Sequence, residues 1–302
     1  PRDNFVKSAH LIRMIEQQEP PTIQYLIEGA SQRLTRAGVE QAKRDARLLL
    51  GQAFSTPGER FFGREDERLD ASTQAVFEKL VDRRFAREPV SRILGARGFW
   101  TLDLEITSAS LDPRPDSESL VESVLDLVSP RDAPLRVLDL GTGTGCLLLS
   151  VLAEFPLSTG VGIDISSDCV ALATRNASAN GIVGRARFQC GDWSDGINDI
   201  FDVIMCNPPY IPTVEIRTLA PEVAVYEPVK ALDGGVDGLD CYRRLSFQFS
   251  KIMAKNSHIF LEIGCDQRAA VTAIMDAAGL QTVGVKPDLA GHDRCLIIKR
   301  RP

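Results

Sequence analysis

Val137-Leu138-Asp139-Leu140-Gly141-Thr142-Gly143-Thr144-Gly145 decides the fold. The first four residues read as a short buried strand. Three glycines in the next five make a tight turn that only small residues enter without strain. Cys146–Glu154 follows with Leu147, Leu148, Leu149, Val151 and Leu152, an apolar helix. The same alternation continues downstream. Val161-Gly162-Ile163-Asp164 is a second strand, and 168–179 a helix. Residues 187–190 and 202–205 are strands three and four, 258–261 is a fifth, and 266–278 is a helix. Strands alternating with helices predict a mostly parallel sheet covered on both faces. The last two strands, at 283–285 and 296–298, have no helix between them, which predicts an antiparallel edge pair.

Upstream the pattern changes. Segments 24–34, 40–54 and 71–85 carry apolar residues at three- and four-residue spacing, so 1–90 reads as a small helical bundle domain. Pro20-Pro21 ends the segment before it. In 71–85 the expected buried face is Ala75, Val76, Leu80 and Val81, with Asp70 as the helix cap. Phe99, Trp100, Leu102, Leu104 and Ile106 predict a β-hairpin linker over 91–112. The α/β domain then occupies 113–302.

The chain has 302 residues and a formal net charge of −6, from 35 Lys and Arg against 41 Asp and Glu. That balance argues against binding nucleic acid mainly by neutralising phosphates. Only three His are present and no Cys-x-x-Cys, so no zinc-ligand spacing exists and no metal is expected. The seven Cys read as reduced and mostly buried. The longest apolar stretch, 146–155, is far short of the ~20 residues that span a bilayer. No signal-peptide pattern opens the chain, and the cytoplasm is the expected location.

The glycine turn lets a ligand approach the backbone. Asp164 stands 23 residues after Gly141, at a strand end, where a carboxylate accepts hydrogen bonds from both ribose hydroxyls of an adenosine. Dinucleotides use Gly-x-Gly-x-x-Gly, where helix amides receive a pyrophosphate. Here the spacing is Gly-x-Gly-x-Gly, with Asp139 just ahead of it. Both features favour a phosphate-free cofactor, S-adenosyl-L-methionine, over NAD. The expected cofactor cradle is Gly141, Thr142, Gly143, Thr144, Gly145 and Asp164. Asp192 is a candidate acceptor for the adenine amino group. Trp193 either stacks on the adenine or caps the core edge.

Asn207-Pro208-Pro209-Tyr210 follows the fourth strand. Two consecutive prolines fix φ and remove two amide donors. The loop therefore presents rigidly held acceptors: the Asn207 side-chain oxygen and the Pro208 carbonyl. A planar NH2 group can give one hydrogen to each while Tyr210 packs on its flat face. That would aim its nitrogen at an electrophile bound at the glycine turn. A rigid proline turn without chemistry is the other reading.

These segments together resemble the Rossmann-like methyltransferases that use S-adenosyl-L-methionine, and within them the HemK-type protein-(glutamine-N5) methyltransferases. Further matches are Glu88-Pro89-Val90 with Ile93-Leu94-Gly95, and Arg114-Pro115-Asp116-Ser117-Glu118. Glu227-Pro228, Gly234-Gly235, Asp237-Gly238-Leu239 and the terminal Asp288-Leu289-Ala290-Gly291-His292-Asp293-Arg294 also match. The resemblance runs from about 20 to 300. It departs at Arg92, where Tyr is common, at Leu111-Asp112-Pro113, and at Ser117, where Thr is common.

The resemblance implies methyl transfer to the side-chain nitrogen of the glutamine in the Gly-Gly-Gln loop of peptide-chain release factors, leaving S-adenosyl-L-homocysteine. It implies Asn207 and Pro208 as the catalytic pair, with Pro209 and Tyr210 beside them at the substrate and Asn207 also against the cofactor. It implies release factors as partners, with no direct need for nucleic acid or membrane, and recognition by the helical domain. A ribosomal-protein glutamine methyltransferase keeps the same chemistry. An adenine-N6 DNA methyltransferase grips another planar amine in a similar loop, and a non-catalytic binder of the cofactor is a further alternative. Arg114 is open between the cofactor and a salt bridge to Glu118. Glu227 is open between the substrate side and a structural carboxylate, and His292 is expected to be solvated or structural.

Overall fold

The computed structural model describes residues 20–54, 61 and 63–301. The reading of 1–19 falls outside them. The chain divides into two compact units between Leu94 and Gly95.

The first unit is helical: α1 (Ile23–Arg36), α2 (Ala42–Ala53), α3 (Ala71–Phe85) and the short α4 (Val90–Leu94). Each long helix starts where its sequence supplies a cap or the chain turns. Thr22 Oγ1 accepts the Tyr25 amide at 3.2 Å, and Asp70 Oδ1 accepts those of Ser72 and Thr73 at 2.9 Å. These side chains satisfy amides that the first helical turn leaves unpaired. The core contains Ile23, Leu34, Leu49, Leu50, Phe77 and Val81.

The inward face of α3 differs from the expected one. Phe77, Val81 and Arg84 are buried, whereas Ala75 and Val76 are exposed and Leu80 is half-buried. The i, i+4, i+7 set won because burying a phenylalanine removes more apolar area than burying an alanine and a valine at the helix flank. Arg84 goes in with a partner, its Nε 2.8 Å from Asp45 Oδ2, so neither charge is buried alone.

The second unit opens with the hairpin β1 (Ala96–Phe99) and β2 (Leu102–Glu105). Its inward side chains, Phe99, Leu102 and Leu104, join a buried cluster with Leu147, Leu148 and Val151. Seven strands then form one sheet in the order β5-β4-β3-β6-β7-β9-β8. They are β3 (Arg136–Leu140), β4 (Thr159–Asp164), β5 (Ala186–Cys190), β6 (Phe201–Cys206), β7 (Met253–Glu262), β8 (Leu280–Pro287) and β9 (Asp293–Arg300). The first five are parallel, and β9 runs antiparallel to both β7 and β8. The antiparallel late pair is as the missing helix implied.

One face of the sheet is covered by α5 (Glu118–Leu127) and α6 (Cys146–Glu154), through Leu120, Val124, Leu148 and Leu152. α9 (Asp240–Ile252) and α10 (Arg268–Ala277) cover the other, through Leu245, Phe249, Val271 and Met275. α7 (Ser167–Ala179), after β4, adds Ala177 to the same cluster as α5 and α6, and the short α8 (Pro221–Ala224) has no buried residue. β3 is covered on both faces, so Val137 through Leu140 are all buried. No helix among the described residues is long and apolar enough to cross a membrane.

The face of α3 can be tested by truncation. Phe77→Ala should cost about 3–5 kcal/mol by denaturant melting, whereas Val76→Ala should stay within about 0.5 kcal/mol. Equal losses would mean that the wrong face has been put inward.

Candidate active site

Parallel register builds the site. Leu140, the last residue of β3, pairs with Ile163 of β4 on one side and Cys206 of β6 on the other. The chain leaves β3 into the glycine turn and leaves β6 into the Asn-Pro-Pro-Tyr loop. A Cβ placed on Gly141 would lie 3.9 Å from the Asn207 carbonyl oxygen. Crevices outside the carboxyl ends of parallel strands are where such sheets bind ligands.

The turn needs its glycines: Gly141, Gly143 and Gly145 take φ of 75°, 55° and 83°. The Gly141 and Thr142 amides both donate to Ile163 O, at 2.8 and 2.9 Å. The Gly143 amide donates to Asp164 Oδ2 and the Ser166 amide to Asp164 Oδ1, each at 2.9 Å. Asp164 is thus held at the edge of the turn, and each oxygen keeps a lone pair for a hydroxyl donor. Asp139 lies beneath. Burial pushes its carboxyl up to about 7, against the opposing bond from Thr142 Oγ1 to Oδ2 at 2.7 Å. Its Oδ1 has no hydrogen-bond partner among the described residues.

Trp193 takes φ 55° and brings its ring to 3.4 Å from where a Gly141 Cβ would sit. It also packs against the core beneath the sheet edge. The core-edge contact of one sequence reading is thus present, and the same ring borders the cavity. Asp192 lines the same cavity, with Arg244 Nη2 standing 2.8 Å from its Oδ2.

In the proline loop, Asn207 Nδ2 donates to Ser117 Oγ at 3.1 Å, which leaves Asn207 Oδ1 as an acceptor. The Pro208 carbonyl accepts no hydrogen bond among the described residues. The Tyr210 hydroxyl donates to Glu262 Oε1 at 3.4 Å, and its carbonyl accepts from Gln267 Nε2 at 2.9 Å.

A cavity of about 910 Å³ brings most candidates together: Gly141, Thr142, Gly143, Thr144, Asp164, Asp192, Trp193, Asn207 and Pro209 all line it. Its size matches small-molecule sites, which run from about 300 to 1,000 Å³. Gly145, Pro208 and Tyr210 are not in its lining. Gly145 instead faces Ala173, Leu149 and Phe188, where it caps α6. Pro208 is buried and Tyr210 backs the loop.

The cradle fits a phosphate-free nucleoside. A Cβ on Gly143 would meet nothing nearer than 3.9 Å, so the backbone there is open to a flat group. A carboxylate sits at the rim, and a buried acid below has an unfilled acceptor oxygen. Beside it are an aromatic ring and a loop of acceptors. The arrangement can hold an amine donor against a ligand seated on the turn.

Arg114 does not pair with Glu118. Its Nη2 lies 2.8 Å from Oε1 of Glu227, whose side chain is fully buried. Glu118 instead accepts the Trp100 amide at 2.9 Å. Tertiary packing decided this pairing, because Glu118 is committed to fastening the hairpin and Glu227 is buried and needs a cation. His292 is exposed, 3.8 Å from Asp288. Reading the sequence missed Ser117 as the partner of Asn207, Arg244 as that of Asp192, and Glu262 behind Tyr210. Each is remote in sequence from what it touches. The only signal was that position 117 keeps a hydroxyl.

Two family profiles match the chain, a PrmC N-terminal domain over residues 25–95 and a methyltransferase domain over 131–279. The chain is 45% identical over 278 residues to a release factor glutamine methyltransferase of Rhodospirillum rubrum, covering 91% of this chain and 84% of the relative. It is 41% identical over 274 residues to the enzyme of that name from Caulobacter vibrioides, covering 90% and 94%. Among solved structures, the hMettl16 catalytic domain superposes with a TM-score of 0.54 at 18% identity, over 67% of this chain and 76% of that one, a likeness of fold alone.

Asp139 has a pH signature. Its ordinary value is near 4 and its folded value about 7. The folded state thus gains relative to the unfolded one below about pH 4, and that gain is lost as pH rises to 7. Asp139→Asn should flatten the dependence of Tm on pH between 4 and 8, with its largest relative gain at pH 8. An unchanged slope would show that Asp139 is ionised well below 7.

Proposed function

The chain belongs to the release factor glutamine methyltransferase family, and we propose how its own residues carry that activity. The protein is a protein-(glutamine-N5) methyltransferase. Its proposed substrate is the glutamine of the Gly-Gly-Gln loop of peptide-chain release factors, which puts the reaction in the cytoplasm without membrane or nucleic acid. S-adenosyl-L-methionine, when bound, supplies an electrophilic methyl group on sulfur and leaves as S-adenosyl-L-homocysteine.

Gly141 through Thr144 would hold it, with Gly141 and Gly143 leaving the backbone accessible. Asp164 accepts the ribose hydroxyls, and Trp193 offers its ring to the adenine. Asp192, paired with Arg244, stands at the same edge. Asp139 Oδ1 remains as an acceptor beneath the turn.

The substrate side rests on Asn207. A carboxamide nitrogen is a weak nucleophile, because its lone pair is delocalised into the carbonyl. Positioning is what this chain can supply. Asn207 Oδ1 and the Pro208 carbonyl each accept one amide hydrogen, which fixes the plane and direction of the nitrogen. Tyr210 closes the far side. Holding reactants in line lowers a barrier by roughly 7–11 kcal/mol in favourable systems. The same acceptors stabilise positive charge as it develops on nitrogen. No His or Lys stands in the loop to act as a base. The observation that supports this reading most is that Asn207 turns its NH2 to Ser117 and so keeps its oxygen for a donor. The helical unit, Ile23 to Leu94 among the described residues, is the proposed recognition element for the release factor.

Labelled S-adenosyl-L-methionine, incubated with a release factor, its loop Gln→Ala variant, a ribosomal protein and duplex DNA, tests the reading. Label should enter the release factor alone and vanish with the glutamine. Label in DNA would replace this function with base methylation. Asn207→Ala should lower kcat by about 10²–10³-fold, the usual effect of deleting one preorganised transition-state contact, while cofactor binding persists. Near-normal turnover would remove Asn207 from the clamp.

A further inference from the structure

A side chain outside the cavity holds the exit of the proline loop. Gln267, the residue just before α10, donates from Nε2 to the Tyr210 carbonyl at 2.9 Å and to the Gly238 carbonyl at 3.3 Å. Its Oε1 accepts the Gly264 amide at 3.0 Å, with the Tyr242 hydroxyl 3.4 Å away. Backbone carbonyls only accept and backbone amides only donate, so this side chain fits one way round. Its own backbone is fixed as well. The Gln267 amide donates to the Gly264 carbonyl at 3.0 Å, and its carbonyl accepts the Val271 amide at 2.9 Å. Glycines clear the space for these contacts. A Cβ on Gly238 would lie 2.4 Å from the Tyr210 carbonyl oxygen and 2.8 Å from Gln267 Nε2, and one on Gly264 would lie 2.9 Å from Gln267 Oε1.

The segment that ends at Gly238 runs along the loop. The Ile211 amide donates to the Leu232 carbonyl at 3.0 Å, Gly234 to Ile211 at 2.9 Å, and Thr213 to Gly235 at 2.9 Å. Pro228 to Ala231 and Asp233 to Gly235 line the cavity, so this segment is one of its walls. Gln267 therefore joins the loop exit, the wall and the end of β7 at one amide group.

We propose that Gln267 is a positioning residue for the reaction: by holding the Tyr210 carbonyl it fixes the direction of the Pro208 carbonyl that receives the substrate amide. This rests on the proline loop being the substrate clamp. A proline ring fixes φ and leaves ψ free. The peptide plane that carries the Pro208 carbonyl therefore has one orientation only when both ends of the loop are pinned. β6 pins the entrance, where Cys206 pairs with Leu140. Gln267 pins the exit, two residues beyond Pro208. Gln267 is absent from the cavity lining, so it acts through the loop and not by touching either ligand.

The test is kcat and cofactor Kd between pH 6 and 9, by label transfer to the release factor, for wild type, Gln267→Leu and Gln267→Glu. Leucine removes every donor. Ionised glutamate keeps the shape of glutamine but sets acceptors against two carbonyls, and its neutral form returns one O–H donor to them. Facing carbonyls favour that neutral form. Tyr242 from α9 and Tyr210 from the loop touch the same side chain, and burial holds both hydroxyls neutral. Glu262 of β7, whose carboxyl burial raises to about 7, is common to all three proteins, so kcat is read as a ratio to wild type at each pH. At pH 9 both variants should lose roughly 10-fold or more in kcat with cofactor Kd within about 2-fold, because misplacing a reacting group by about 1 Å costs up to ~10²-fold. As pH falls to 6 the Gln267→Glu ratio should climb about 3-fold or more as its carboxyl regains the proton, while the Gln267→Leu ratio stays flat. A flat Gln267→Glu ratio, or near-normal turnover in both variants, overturns the proposal. Loss of cofactor binding in step with kcat, outright unfolding included, would make Gln267 a support of the fold alone and overturns it too. Failure of wild type to label the release factor would instead overturn the functional reading itself, so the two failures are separable.

Discussion

The site depends on a hydrogen-bond register. Leu140 pairs with Cys206 across two parallel strands, so Gly141 and Asn207, the next residue on each chain, emerge side by side. A slip of one residue would turn every inward side chain of a strand to the other face. Val137 through Leu140 are buried and pair in one continuous register with Val203 through Cys206. The apolar core thereby sets the spacing between the ligand turn and the acceptor loop to within the tolerance of a sheet.

The residues that touch the cavity are few, and the ones that aim them lie behind. Asp164 is held by two amides, one from the turn and one from the start of α7. Asn207 is aimed by Ser117, at the start of α5, and Tyr210 by β7 and Gln267. Arg114 and Glu227 tie the segment before α5 to the one after α8, with Glu227 also accepting the Asp112 amide. These bonds restrict motion in a loop already stiffened by two prolines. A polar group in such a place is expensive unless its partners are supplied, which is why the network is dense. Asp139 and Glu262 are the acidic exceptions among the described residues, beside the Thr144, Ser119 and Ser150 hydroxyls. Each is a buried acid with one oxygen lacking a partner, and each is raised to about 7. Asp139 lies beneath the glycine turn, bonded by Thr142, and Glu262 behind the proline loop, bonded by Tyr210.

Much of this was legible from the residues in order. The Gly-x-Gly-x-Gly turn, Asp164 and the Asn-Pro-Pro-Tyr loop could be read because each is a local device. Glycines allow positive φ, prolines fix φ, and a strand end exposes its last side chain. The antiparallel late pair was legible from a missing helix. The buried face of α3 was misread because periodicity proposes several faces and only packing selects the one that hides Phe77. The partners of Asp192 and Arg114 were not legible, because Arg244 and Glu227 lie about 50 and 110 residues away from them.

By itself the sequence determined the alternation of strands and helices, the turn that admits a ligand, and the loop that presents acceptors. These follow from backbone preferences and from apolar spacing within a few residues. The tertiary structure alone decided that the turn and loop share one cavity, that the Asn207 amide donates to Ser117, and that Glu262 stands behind Tyr210. The physical reason is that hydrogen-bond direction and burial belong to neighbours in space. Here those neighbours come from segments as far apart as positions 117, 207 and 262, which meet only once the sheet is formed.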